Sequence, residues 1–142
     1  MQVELKRVNN AYHFTATGSS NIPVQIDANK SIGGVDAGAR PMELILMGLA
    51  GCSAIDIITI LNKQKQQIDK FDIYVDAKRR EEEIPAVFEK INIHLSLSGN
   101  LQKEKVQRAI NLSMEKYCSV TAMLRPTVEI TTSFVINEDD DE

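Results

Sequence analysis

Apolar and polar residues alternate from the start of the chain. Residues 3–8 (Val-Glu-Leu-Lys-Arg-Val) and 12–17 (Tyr-His-Phe-Thr-Ala-Thr) keep a period of two, with Asn9-Asn10 between them. That pattern predicts a hairpin. Residues 22–27 read as a third short strand, and Pro23, which has no N–H to donate, puts it at a sheet edge. Residues 31–40 hold Gly33, Gly34 and Gly38 and read as a loop. A long apolar run then predicts a helix over 41–67, with Pro41 in its first turn and polar last turns. Residues 71–77 and 87–97 alternate again around a charged tip containing Arg79, Arg80 and Glu81 to Glu83, a second hairpin. Over 101–117 the positions Leu101, Val106, Ala109, Ile110, Ser113-Met114 and Tyr117 have helix spacing with one buried face. Residues 127–136 form a last strand, and the acidic residues 138–142 read as a disordered tail. The order predicts an α+β fold, with antiparallel sheets around a long buried central helix.

At 142 residues the chain suits a single domain, placed here at 1–137. A net charge of −4 argues against a nucleic-acid surface. Residues 1–6 alternate and lack the apolar core of an export signal, so a cytoplasmic, reducing location is expected. There, cysteines are catalytic, redox-active or buried rather than joined in a structural disulfide. Cys52, Cys118, His13 and His94 lack zinc-site spacing, so no metal is expected, and no cofactor. The apolar run is long enough to be screened as a membrane span. Asp56 would then lie deep in hydrocarbon between strand-patterned flanks, so no membrane is expected. A helix apolar on every side needs cover on every side. So short a chain hardly supplies it alone, which predicts a homodimer. Gly48, Ala50, Gly51, Ser53 and Ala54 would let two such helices approach closely.

The candidate chemistry is in the two thiols. Cys52 is in mid-helix, beyond the reach of the helix dipole. Apolar surroundings would raise its pKa, so reactivity needs a nearby cation. Asp56, one turn further on, either holds such a cation or makes a buried hydrogen bond. Cys118 follows the second helix and reads either as core or as a second reactive thiol. The loop over 33–38 lacks the Lys-Ser/Thr of a phosphate loop and reads as a flexible lid near the thiol or as a plain connection. His13 and His94 sit on strands and suggest no chemical role.

Three features together resemble one superfamily. They are Arg40-Pro-Met-Glu-Leu-Ile-Leu-Met-Gly-Leu-Ala-Gly-Cys52, the Tyr117-Cys118-Ser-Val120 segment, and the element order across nearly the whole chain. The chain is similar to osmotically inducible protein C (OsmC) and the organic hydroperoxide resistance (Ohr) proteins, in a poorly characterised OsmC-like branch. In the peroxidase branches, the resemblance implies, the helix cysteine attacks an organic hydroperoxide and becomes a sulfenic acid. The second cysteine resolves it to a disulfide, and a dithiol reductant such as a lipoyl group restores the pair. By position this assigns Cys52 and Cys118. The peroxidases also use an arginine and a glutamate. Their glutamate follows the proline directly, where this chain has Met42; Glu43, nine residues before Cys52, points to about the opposite helix face. The N-terminal stretch 17–21 that would supply the arginine has none, which leaves Arg40 and Arg125 as the candidate cations. Arg40 lies roughly 18 Å from Cys52 along one helix axis. Two functions follow. One is a thiol-dependent peroxidase, a weak one because its usual partners are displaced. The other is a non-catalytic dimeric module that binds a small apolar ligand.

Overall fold

Both expected hairpins form in the structure, a computed structural model that describes residues 1–138. The predicted acidic tail, except Glu138, lies outside those residues. β1 (Glu4–Arg7) pairs antiparallel with β2 (Phe14–Thr17), whose other side takes the short edge strand β3 (Val24–Ile26), just after Pro23. The Asn9 side chain closes the first turn by accepting the N–H groups of Ala11 and His13 at 2.9 and 3.1 Å. A second sheet holds β4 (Gln67–Arg79), β5 (Phe88–Asn100) and β6 (Glu129–Asn137), with β5 in the middle. β4 and β5 are antiparallel, but β6 runs parallel to β5. The sheet is therefore mixed where antiparallel pairing was expected. The segment between β5 and β6 carries two helices, a crossover long enough to return the chain in the same direction.

The described chain divides into two compact units, Met1–Met47 and Gly48–Glu142, with the boundary inside helix α1 (Pro41–Lys63). In the second unit the core is built on β5, whose alternate residues Ile91, Ile93, Leu95 and Leu97 are buried on one face. Leu49, Ile57 and Leu61 of α1 are fully buried, as are Val106 and Ala109 of α2 (Lys103–Leu112). Each such aliphatic side chain of valine size or larger contributes about 1.5–3 kcal/mol by leaving water.

α1 starts as its sequence suggests. Pro41 needs no N–H partner, and the Glu43 carboxylate reaches back to accept the Arg40 N–H at 2.9 Å. The helix stops four residues short of the expected end. Lys65 turns into the left-handed region (φ 57°), Gln66 N–H bonds the Leu61 carbonyl at 2.9 Å, and Gln67 already begins β4. Within this chain α1 buries one stripe only, Leu49, Ser53, Ile57 and Leu61, spaced four apart. Met47 is 55 % and Ile55 69 % exposed.

The second expected helix is broken into parts. α2 begins where Gln66 Oε1 accepts the Gln102 N–H at 2.7 Å. It widens into a π turn over Ser113–Tyr117, closed by the Cys118 N–H on the Ser113 carbonyl at 2.7 Å. A short helix α3 (Ser119–Leu124) follows. Six residues are too few to show a helical period, so the sequence pattern gave no sign of it.

The glycine loop is pinned in place and is not a flexible lid. The buried Asp27 carboxylate accepts N–H groups from Ala28 (2.7 Å), Val35 (2.9 Å) and Ala37 (3.1 Å). Gly33 is left-handed at φ 113°, and a Cβ on Gly34 would collide with the Ala28 carbonyl. Burial raises the Asp27 pKa, but these donors and His13 outweigh it and hold the carboxyl below its ordinary 3.8. A carboxyl with a lowered folded pKa stabilises the fold in full above 3.8, and that contribution fades as pH falls through the lower folded value. Denaturant unfolding should therefore show Asp27→Asn less stable than wild type at neutral pH, with the gap closing below that point. A gap that stays constant down through the acid range would contradict this account of the loop.

Candidate active site

Cys52 and Asp56 lie one turn apart on α1, so they share a side of the helix next to the buried stripe. Cys118 comes from the other direction. It is the residue before α3 and has an extended backbone (φ −74°, ψ 105°) because the π turn ends there. The two sulfurs and an Asp56 carboxylate oxygen lie within 4.8 Å of one another. Both thiols are free; Cys118 is buried at 3 % exposure and Cys52 is half-buried. All three residues belong to the second compact unit.

The two sulfurs have unequal surroundings. Cys118 Sγ accepts the Thr121 N–H at 3.4 Å and lies 3.6 Å from Ser53 Oγ. The buried Ser53 hydroxyl has one proton, which bonds the Leu49 carbonyl at 2.8 Å or can turn to the sulfur. Burial pushes the Cys118 thiol up, but the Thr121 hydroxyl and N–H, the Ser53 hydroxyl and the Cys52 thiol outweigh it, and its pKa falls below the ordinary value. For Cys52 the Val120 N–H acts first, favouring the thiolate, with help from the Ser119 N–H. Burial, the hydrogen bond to Cys118 and the Cys118 charge outweigh both, and the Cys52 pKa rises. The two thiols are thus shifted in opposite directions, with the thiolate favoured at Cys118 and disfavoured at Cys52.

Asp56 is held from the π turn, where the buried Ser113 hydroxyl donates to its Oδ2 at 3.1 Å. Among the described residues Asp56 has no ion-pair partner. The two candidate arginines are engaged elsewhere. Arg40 pairs with Asp36 (3.4 Å) and Glu43 (3.8 Å), and Arg125 donates to the Met114 carbonyl at 3.4 Å. The largest influences on either thiol come from burial, backbone N–H groups, hydroxyls and the other thiol. Glu43 serves as the cap of α1. A cleft of about 340 Å³ adjoins Asp56, lined by Ile60, Leu112 and Tyr117 with Thr59, Lys63 and Gln64. The sequence pattern marked Ser53 only as a small residue and Ser113 only as a buried-face position, and it did not mark Thr121. Ser53 stands next to Cys52 in the chain, but the other two are placed only by the π turn and α3. Cys52, Asp56 and Cys118 are also the three side chains placed to hold a cation, a set that cysteine and histidine spacing could not reveal.

The chain is similar over most of its length to several known proteins. Protein YhfA of Escherichia coli (strain K12) is 38 % identical over 137 residues, covering 96 % of this chain and 98 % of its own. A crystal structure of a hypothetical protein from Aquifex aeolicus VF5 matches with a TM-score of 0.84 and 31 % identity, covering 98 % of this chain and 97 % of that one. The organic hydroperoxide resistance protein OhrB of Bacillus subtilis shares the fold at a TM-score of 0.64 and 22 % identity, covering 94 % and 96 % of the two chains. The family model for OsmC-like proteins matches residues 33–133. With that match over most of its length, the chain belongs to the OsmC-like protein family.

Proposed function

We propose that this protein is a thiol-dependent peroxidase for organic hydroperoxides, acting in the cytoplasm through Cys52 and Cys118. The observation that carries the reading is the closeness of two free sulfurs, within 4.8 Å, from two different elements. Cys52 is the more exposed of the two and makes the attack. It first passes its proton to the Cys118 sulfur. The Cys52 thiolate then attacks a peroxide oxygen, the O–O bond breaks, and the alkoxide leaves as the alcohol by taking the proton that Cys118 had received, which restores the Cys118 thiolate. The sulfenic acid on Cys52 is next attacked by the Cys118 thiolate, forming the disulfide and releasing hydroxide, which is protonated to water. An external dithiol reduces the disulfide by exchange. Because burial and Cys118 disfavour the Cys52 thiolate, which is the attacking form, the reaction is slow for a thiol peroxidase. Arg40 and Arg125 are held by other groups, which also favours a slow reaction. One feature favours the second reading, a non-catalytic module for a small apolar ligand. The cleft beside Asp56 has the size and partly apolar lining of a ligand pocket.

The working form in this proposal is a homodimer. The outward face of α1 supports it, since Met47 and Ile55 are exposed and a Cβ on Gly48 or Gly51 would meet nothing within 4 Å. A Cβ at position 51 meets no described atom within 4 Å, and Gly51→Leu gains about 1 kcal/mol of helix propensity. In sedimentation the wild type should be a dimer at micromolar concentration, and Gly51→Leu should dissociate more readily. A folded wild-type monomer would contradict the dimer.

With one equivalent of cumene hydroperoxide, both free thiols should be lost and a Cys52–Cys118 disulfide should appear in the mass spectrum. Cys52→Ser should abolish peroxide consumption, and Cys118→Ser should leave a sulfenic acid that overoxidises. Persistence of both thiols in excess peroxide rules the peroxidase out and leaves the module. The pair also makes a signed prediction. Cys118 raises the Cys52 pKa through its hydrogen bond and charge, so Cys118→Ser should speed the alkylation of Cys52 at neutral pH. An unchanged or slower rate would contradict the coupling.

A further inference from the structure

We propose that Cys52, Asp56 and Cys118 form a binding site for a thiophilic divalent cation of the Zn²⁺ or Cd²⁺ type. The donor set and its spacing carry this. Two sulfurs and a carboxylate oxygen lie within 4.8 Å of one another. A tetrahedral Zn²⁺ with bonds of about 2.3 Å to sulfur and about 2.0–2.2 Å to oxygen needs such donors roughly 3.5–3.8 Å apart. The observed spacing is within about 1 Å of that requirement. Two thiolates and one carboxylate leave the fourth position open, as in catalytic zinc sites.

Two further observations point to a cation. Asp56 is a half-buried carboxylate facing two thiols, and among the described residues no lysine, arginine or histidine pairs with it. Lys63 lines the same cleft without forming an ion pair to it. The donors are also oriented from behind. The Ser113 hydroxyl holds Asp56 Oδ2 at 3.1 Å and leaves the other oxygen free, while the Thr121 N–H holds Cys118 Sγ at 3.4 Å. Such partners fix ligand geometry in protein metal sites. The proposal does not rest on the peroxidase reading, because a cation binds these groups whether or not they react with peroxide. Cation and disulfide exclude each other, since both use the same two sulfurs.

The test uses the full reduced chain, freed of metal by a chelator and titrated with Cd²⁺ under anaerobic conditions. The ultraviolet thiolate-to-Cd²⁺ charge-transfer band should saturate at one equivalent per chain with the intensity of two thiolates. Cys52→Ser or Cys118→Ser should each remove half or more of that intensity. Asp56→Asn keeps both thiols and the side-chain shape, and circular dichroism checks its fold. It should weaken binding by at least the roughly tenfold that even an outer partner is worth. Zn²⁺ should compete for the same site and slow the loss of thiols to peroxide. Absence of the band at one equivalent overturns the site, as does saturation at half an equivalent, which means a cation shared between chains. An affinity unchanged in Asp56→Asn removes the carboxylate and with it the three-donor site. Peroxide consumption by the metal-free protein is read separately, so failure of the metal site and failure of the peroxidase reading are distinguishable.

Discussion

The site depends on one backbone hydrogen bond, from the Cys118 N–H to the Ser113 carbonyl at 2.7 Å. It spans five residues instead of four, so the chain leaves α2 one residue late and Cys118 ends up in an extended conformation. Had α2 continued regularly, every later side chain would be turned by about 100° per residue around the axis, and the N–H groups after Cys118 would be spent inside the helix. Instead, the Thr121 N–H is free to meet Cys118 Sγ. The same turn points the Ser113 hydroxyl at Asp56. One irregular turn thus sets both the position of the second sulfur and the orientation of the carboxylate. Such single-turn widenings often occur at functional sites.

α1 has two demands that compete for the same residues. Its stripe of Leu49, Ser53, Ile57 and Leu61 belongs to the core of the second unit. Cys52 and Asp56 sit at the edge of that stripe, where they are half-buried and can meet Cys118. Ser53 is the polar member of the stripe, and its hydroxyl serves both the helix backbone and the Cys118 sulfur. Ile55, on another face of the helix, is 69 % exposed. That is the physical case for a second copy.

How much of this could be read in advance follows from which signals are periodic. The strand alternation of β1, β2, β4 and β5 and the long apolar run of α1 were legible because each repeats over several residues. The direction of β6 was not legible, since a strand's own pattern does not reveal its neighbour's sense. The π turn and α3 escaped because neither is long enough to show a period. At the site, the cysteines stood out as rare residues in distinctive places. Asp56 stood out as the charge in an apolar helix, but its partner Ser113 lies 57 positions away and carries no local mark of that pairing. Asp27 was missed for a similar reason. Its ligands are backbone N–H groups of a glycine loop, which side-chain patterns do not record.

The central claim is that the two sulfurs act as one chemical unit, with Cys118 giving up its proton first. Cysteine labelled at Cβ with carbon-13 reports each thiol separately in an NMR pH titration of the reduced protein. The account predicts that the Cys118 signal moves first, below the range of a free cysteine, and that the Cys52 signal shifts slightly in the same step and titrates in full only at higher pH. Two independent single-step curves, or a Cys52 that titrates before Cys118, would contradict it.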